Sequence, residues 1–241
     1  KYKTNDAMIG RLYRYVTLFL GMKPGQHEYK VMGLAPYGLK YHGEKSLKHF
    51  RKFNKIIGHK ILKTNFFKDV YYSTRKKLHG QRFDGVAWGL QSYTEEFLEK
   101  WTLNCIKKFK NKNIILSGGV AQNIKAIKIL AEHKKISSIW AGPISGDGSL
   151  AIGAAWMASK RFDYNKKVHG LKSIYLGSEI CDKEIQKTIK KYCKKFEIKK
   201  NVSNKTIAKW ISNGLIIARC KGRMEFGQRA LGNRSILADP R

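Results

Sequence analysis

Apolar side chains at Met8, Ile9, Leu12, Tyr15, Val16, Phe19 and Leu20 recur every three or four residues. That spacing keeps one face of a helix apolar and predicts a helix over residues 1–22. The next stretch, "GMKPGQHEYKVMGLAPYG", carries glycine and proline too densely for a long element. It reads as a structured loop with a short helix at most. Residues 43–80 are basic, show few clear periods and read as a peripheral insertion. From Val86 to Phe109 the helical period returns, and it ends in lysines that suit a helix C-terminus.

Two units of one grammar follow. "NIILSGGVAQNIKAIKILAEH" is a short β-run, a Gly-Gly turn and a helix; "SSIWAGPISGDGSLAIGAAWMASKRF" repeats it with a Gly/Pro/Asp turn. Consecutive strand, glycine turn and helix units predict an α/β fold. Around 163–172 ("DYNKKVHGLK") the pattern lapses into a polar linker, which puts a domain boundary near residue 168 and domains at 1–167 and 168–241. Beyond it come "SIYLGSEI", a lysine-rich helix, a second helix over "NKTIAKWISNG" and a buried strand, "GLIIARC".

Composition narrows the class. The 241 residues carry a net charge of +32, with 38 lysines against 11 arginines. Lysine spread along the whole chain is a solvated background, whereas specific phosphate or base readout favours arginine's planar fork. A nucleic-acid-binding protein is therefore the weaker reading of the charge. No apolar run approaches the ~18 residues of a membrane span, and no secretory signal opens the chain. Four cysteines without C-x-x-C spacing suit reduced thiols and a cytoplasmic setting. The seven histidines form no HxxxH pair and assemble no metal site. The first residue is Lys1 and the last lies directly after a motif, so the chain reads as a segment of a longer protein.

Three stretches carry candidate chemistry. In "LSGGVAQN", Gly118 and Gly119 let a ligand approach the backbone, and the helix beginning near Val120 aims its amides at that spot; a tight structural turn is the plainer alternative. In "GPISGDGSLAIGAA", Asp147 stands between Gly146 and Gly148, as a metal ligand, a nucleotide contact or a helix N-cap. Four of the eleven arginines fall in the last 21 residues. There, "KGRMEFGQRALGNRSILADPR" brings Lys221, Arg223, Arg229 and Arg234 together with Glu225 in a glycine-punctuated loop. Phe226, Ala230 and Leu231 would draw the loop inward, so it reads as a site for a compact anion rather than as basic surface. The two glycine turns taken alone also resemble those of actin and the sugar kinases, which keeps a small-molecule kinase as a further alternative.

The motifs "EYKVMGLAPYG", "LSGGVAQN", "GDGSLAIGAA", "YLGSE" and "GRMEFGQRALGNRSILADPR" occur in that order along nearly the whole chain. They resemble the O-carbamoyltransferase family of the nodulation protein U and cephalosporin type. Gln228 stands where that family usually has proline. The resemblance implies a partial ASKHA-type domain followed by a truncated α/β domain like the threonylcarbamoyl-adenylate synthases. It implies that ATP and carbamoyl phosphate give carbamoyl adenylate, from which the carbamoyl group passes to a hydroxyl of a small-molecule or saccharide acceptor. By motif, Gly118, Gly119, Val120 and Asn123, with Gly146 and Gly148, would hold the adenylate. Asp147 would ligate a divalent metal, iron or magnesium, whose histidine ligands lie upstream in the family. Arg223, Arg229 and Arg234, with Lys221, would bind carbamoyl phosphate and the phosphates of ATP.

Overall fold

The computed structural model describes residues 8–64, 69–162, 170–199 and 201–240. By contacts the chain divides into two compact units, residues 1–148 and 149–241. The linker expected over 163–172 falls mostly on residues 163–169, outside the described residues, as does the boundary placed at 168.

The first unit is built around one long helix. In chain order it holds α1 (Ile9–Phe19), α2 (Glu28–Leu34), α3 (Lys40–Phe50), β1 (Asn54–Ile57), β2 (Lys60–Lys63) and α4 (Val70–Leu78). These are followed by α5 (Phe83–Phe109), β3 (Asn113–Leu116), α6 (Ile124–Ala131) and β4 (Ser138–Ala141). Helix α5 packs against α1, α2, α3 and α6. Leu12, Val16, Val31, Phe50, Leu78, Val86, Leu90 and Leu130 are fully enclosed among these helices. Each large apolar side chain so enclosed contributes about 1.5–3 kcal/mol by leaving water.

Within α1 the inward tyrosine is Tyr13, while Tyr15 is only partly buried. Residues 43–80 correct the expectation of a peripheral insertion. Helix α3 buries Gly43, Ser46, Leu47, His49 and Phe50, and β1 pairs antiparallel with β2 beside it. Its period is hard to see because three of the five inward positions hold glycine, serine or histidine. The small ones have a physical purpose. A Cβ on Gly43 would lie 2.8 Å from the Gly85 carbonyl oxygen, and one on Gly89 would lie 2.8 Å from the Gly43 carbonyl oxygen. Gly38 of the "APYG" motif is equally constrained, its Cβ position lying 2.3 Å from the Asp84 carbonyl oxygen. Helices α3 and α5 therefore meet backbone to backbone.

Strands β3 and β4 pair in parallel, Asn113 opposite Ser138 and Leu116 opposite Ala141. Leu116 and Ile139 pack on the helical core, while Ile115 and Trp140 alternate outward. Both strands run into their glycine turns at the same, C-terminal edge. In an α/β sheet that edge is the usual ligand side.

The second unit holds α7 (Leu150–Phe162), α8 (Asp182–Tyr192), α9 (Asn204–Ser212), β5 (Ile217–Cys220) and β6 (Arg234–Leu237), the last two antiparallel. Its helices bury no residue among those described. Ser203 caps α9 by accepting from the Thr206 N–H at 3.1 Å. The architecture as a whole is mixed α/β, as the strand, turn and helix grammar predicts.

Candidate functional site

In the first unit the two glycine turns meet. The Gly118 N–H donates to the Ser145 carbonyl at 2.7 Å, which ties the turn after β3 to the turn after β4. Gly118 has φ +101°, a conformation that glycine alone adopts without strain. Gly119 differs: its φ is unexceptional, and a Cβ there would meet no atom within 4 Å. Neither backbone nor packing among the described residues asks for glycine at 119. Gly146 backs onto the same turn, its Cβ position 3.2 Å from Gln122 Nε2 and 3.8 Å from Gly119 Cα. Gly148 is crowded by Ile144, at 2.8 Å from a built Cβ. Val120 is partly buried against the core. Gly118, Gly119 and Gly148 are exposed, so the joined turns form an open ledge.

Asn123 sits behind this ledge. It is buried and caps α6, accepting from the Ala126 N–H at 3.1 Å. Its amide pairs reciprocally with Gln91 on α5: Gln91 Nε2 donates to Asn123 Oδ1 at 3.0 Å, and Asn123 Nδ2 donates to Gln91 Oε1 at 2.9 Å. Tyr13 Oη donates to Gln91 Oε1 and accepts from Asn123 Nδ2 at 3.1 Å. These bonds occupy both ends of the Asn123 amide.

Asp147 begins a short 3₁₀ turn, Asp147–Ser149, and is exposed beside the ledge. Among the described residues no three His, Cys, Asp or Glu side chains converge as a metal site would require. Asp147 thus supplies one oxygen donor without a completed set around it.

The cationic loop of the second unit is knotted from within. Main-chain bonds pair it with "YLGSE": the Gly177 N–H donates to the Met224 carbonyl at 2.9 Å and the Met224 N–H to the Ser178 carbonyl at 3.0 Å. Gly177 is needed for this approach, because a Cβ there would lie 2.7 Å from the Met224 Cβ. Arg223 donates through Nε to the Gly177 carbonyl at 3.1 Å and through Nη2 to the Leu176 carbonyl at 3.2 Å. Arg234 donates from Nη1 to the carbonyls of Lys221 and Asn233, and from Nη2 to those of Ser178 and Gly222, all at 3.0–3.2 Å. Glu225 Oε1 accepts the N–H groups of Leu231, Asn233 and Arg234 at 2.9, 2.7 and 3.1 Å. Desolvation pushes the Glu225 carboxyl up, but these N–H donors and its own outweigh it and hold the acid at about 2.

These contacts give two of the basic side chains a structural use. The guanidinium groups of Arg223 and Arg234 hold carbonyls and shape the loop. Lys221 and Arg229 are exposed on it. Glu225 gathers backbone donors.

The order of motifs agrees with what sequence comparison finds. "Carbamoyltransferase N-terminus" matches residues 2–156, and "Carbamoyltransferase C-terminus" matches residues 208–241. The chain belongs to the carbamoyltransferase family. An uncharacterized protein of Synechocystis is 31% identical over 97% of this chain and 42% of its own length. Nodulation protein NolNO of Sinorhizobium fredii is 30% identical over 97% of this chain and 35% of its own length. The 3'-hydroxymethylcephem-O-carbamoyltransferase of Amycolatopsis lactamdurans is 28% identical over 53% of this chain and 23% of its own length. The chain thus spans less than half the length of these curated relatives.

Two features of this carbamoyltransferase chain escape motif reading. Tyr13 and Gln91 join Asn123 although no motif contains them. The signal available for Gln91 is a polar residue on the face of α5 that also carries Ala87, Leu90 and Thr94, where the period calls for an apolar one. The carbonyl-binding use of Arg223 and Arg234 has no sequence signal, since a guanidinium that clamps a loop reads like one that awaits a phosphate.

Proposed function

We propose that the protein acts as an ATP-dependent O-carbamoyltransferase, with an ASKHA-like first domain and a second domain like the threonylcarbamoyl-adenylate synthases. The observation that carries this reading is the cationic loop, where Glu225, Arg223 and Arg234 fix the backbone and Lys221, Arg223 and Arg229 lie at the surface. A loop braced in this way holds its charges in place before the anion arrives, and stabilisation of moving phosphates depends on that preorganisation.

In this reading water cleaves carbamoyl phosphate to carbamate, inorganic phosphate and a proton. A carbamate oxygen attacks the α-phosphorus of ATP, the α–β bridging bond breaks, and pyrophosphate leaves with its electron pair. Lys221 and Arg229 neutralise the phosphates of both substrates, while Arg223 and Arg234 keep the loop in register. The carbamoyl adenylate is held on the Gly118, Gly119, Gly146 and Gly148 ledge with Val120 beside it, and Asn123 acts from behind. An acceptor hydroxyl then attacks the carbamoyl carbon, gives up its proton to solvent and expels AMP. The O-carbamoyltransferase named for a hydroxymethyl cephem supports a hydroxyl acceptor, of small-molecule or saccharide class.

Asp147 is assigned as one donor to a divalent cation, iron or magnesium. A single carboxylate holds such an ion weakly, so the steps above rest on the loop and the ledge.

The test uses the complete protein with ATP and carbamoyl phosphate. Pyrophosphate release that requires carbamoyl phosphate supports the reading. ATP turnover to ADP, indifferent to carbamoyl phosphate, favours a kinase and refutes it.

A further inference from the structure

The ledge is exposed on its ligand side and has little packing of its own, so its shape must be set from behind. The bracing runs through side chains of two helices and the cap of a third. Glu95 on α5 has only acceptor oxygens when ionised, and its Oε1 takes Gln91 Nε2 at 2.6 Å. That contact fixes which end of the Gln91 amide is the donor. The same Nε2 then meets Asn123 Oδ1 at 3.0 Å, which settles the Asn123 amide as well. Asn123 Oδ1 in turn receives the Ala126 N–H, fixing the first turn of α6, and the Asn123 N–H donates to the Val120 carbonyl at 3.0 Å, closing the ledge's own 3₁₀ turn. Tyr13, from α1, completes the set through its hydroxyl. Nearby, Gly10 of α1 comes within contact of Val120, with 3.6 Å from its Cβ position to Val120 Cγ2.

Tyr13, Gln91 and Asn123 are exposed by only 7%, 4% and 7%. Polar groups at such depth cost stability unless every valence is met, and here the Gln91 amide has two partners at each end. Apolar residues of the same size would fill the space as well, without aiming anything. The directional chain from Glu95 to the turn is what the polar choice adds.

We propose that Gln91 is a positioning residue of the nucleotide ledge: held by Glu95 and Tyr13, it sets the Asn123 amide and thereby the angle at which the Gly118–Gln122 turn meets the adenylate. This deepens the reading above and rests on it for the nature of the ligand. Gln91 does not touch the ligand itself.

The experiment measures binding of a non-hydrolysable analogue of the carbamoyl adenylate, with a sulfamoyl group in place of its phosphate, to the complete protein by calorimetry, alongside melting temperature and the KM for carbamoyl phosphate. Gln91→Met keeps the length and removes the hydrogen bonds. It is expected to weaken analogue binding about tenfold, the scale of one disrupted buried polar contact, while leaving the carbamoyl phosphate KM unchanged. The Gln91→Met, Asn123→Ala double variant should bind no worse than Asn123→Ala, because Gln91 acts through Asn123. If Gln91→Met fails to fold, Tyr13→Phe, which removes only the hydroxyl, should weaken analogue binding severalfold and decides the matter. Native analogue affinity in a folded variant with a lowered melting temperature would mean a structural role alone and overturn the proposal. Additive losses in the double variant, or no analogue binding by the native protein, would overturn it too. If the native protein binds the analogue but releases no pyrophosphate with carbamoyl phosphate, the carbamoyltransfer reading fails, and the variants still decide the role of Gln91.

Discussion

Glu225 receives the backbone N–H of Asn233 at 2.7 Å, across eight residues of chain, and so closes the cationic loop on itself. Its carboxyl lies near 2, below the ordinary glutamate range, because the loop's N–H groups favour the ionised form. A depressed acid adds order that is complete above the unfolded value and is lost as pH falls towards the folded one. Amide resonances of Leu231, Asn233 and Arg234 should therefore hold steady above pH ~5 and shift cooperatively between ~4.5 and ~2. Glu225→Gln should abolish that titration; an unchanged pH profile in the variant would show that another group orders the loop.

Arg234 fills four carbonyls with two nitrogens, a geometry a lysine ammonium cannot copy. Arg234→Lys keeps the charge, yet it should loosen the loop, seen as faster hydrogen exchange at Met224 and Asn233, and should cut pyrophosphate release by at least about tenfold. A lysine variant of native rate would show that charge alone matters at 234.

Two glycines separate ligand approach from packing. Gly119→Ala places its Cβ in open space, so the melting temperature should stay within about 1 °C while nucleotide affinity falls. Gly89→Ala puts a Cβ 2.7 Å from that of Ser46 and 2.8 Å from the Gly43 carbonyl oxygen, and should destabilise by about 1–3 kcal/mol or more through overpacking. Denaturation curves and nucleotide titrations on both variants check the contrast; a Gly119→Ala protein with full nucleotide affinity would remove the ledge from the site.

His49 is enclosed against Phe50 and Phe53, and Nε2 lies 3.3 Å from the Thr74 hydroxyl. Burial, with Lys52 and Lys77 nearby, lowers it to about 4. Because the unfolded chain takes up the proton first, stability should fall as pH drops from about 6.5 to about 4 and level off below. Urea midpoints of the native protein and of His49→Gln across that range should differ in slope.

The fold was legible where a period was long or a turn was rich in glycine. The helix expected over Val86–Phe109 runs over Phe83–Phe109, and both strand, turn and helix units are present. Helix α3 was hidden because its core face carries Gly43 and Ser46, which meet α5 closely, and His49, which faces Thr74. The glycines and arginines of the candidate site also stood out, but their division of labour did not. Arg223 and Arg234 turn inward to main-chain oxygens that only the folded loop brings within reach. Asn123 is similar: its spacing after Gly118 and Gly119 marks the turn, while its partners come from residues 32 and 110 positions away.

The most direct measurement follows oxygen. The complete protein is supplied with ATP, an acceptor alcohol and carbamoyl phosphate labelled with oxygen-18 at the carbonyl, and the AMP is weighed by mass spectrometry. Attack by carbamate on the α-phosphorus, followed by cleavage at the carbamoyl carbon, leaves a carbamate oxygen on AMP. Labelled AMP, lost in Lys221→Ala and Arg229→Ala, is the expected result. Unlabelled AMP, or ADP in its place, would contradict a carbamoyl adenylate.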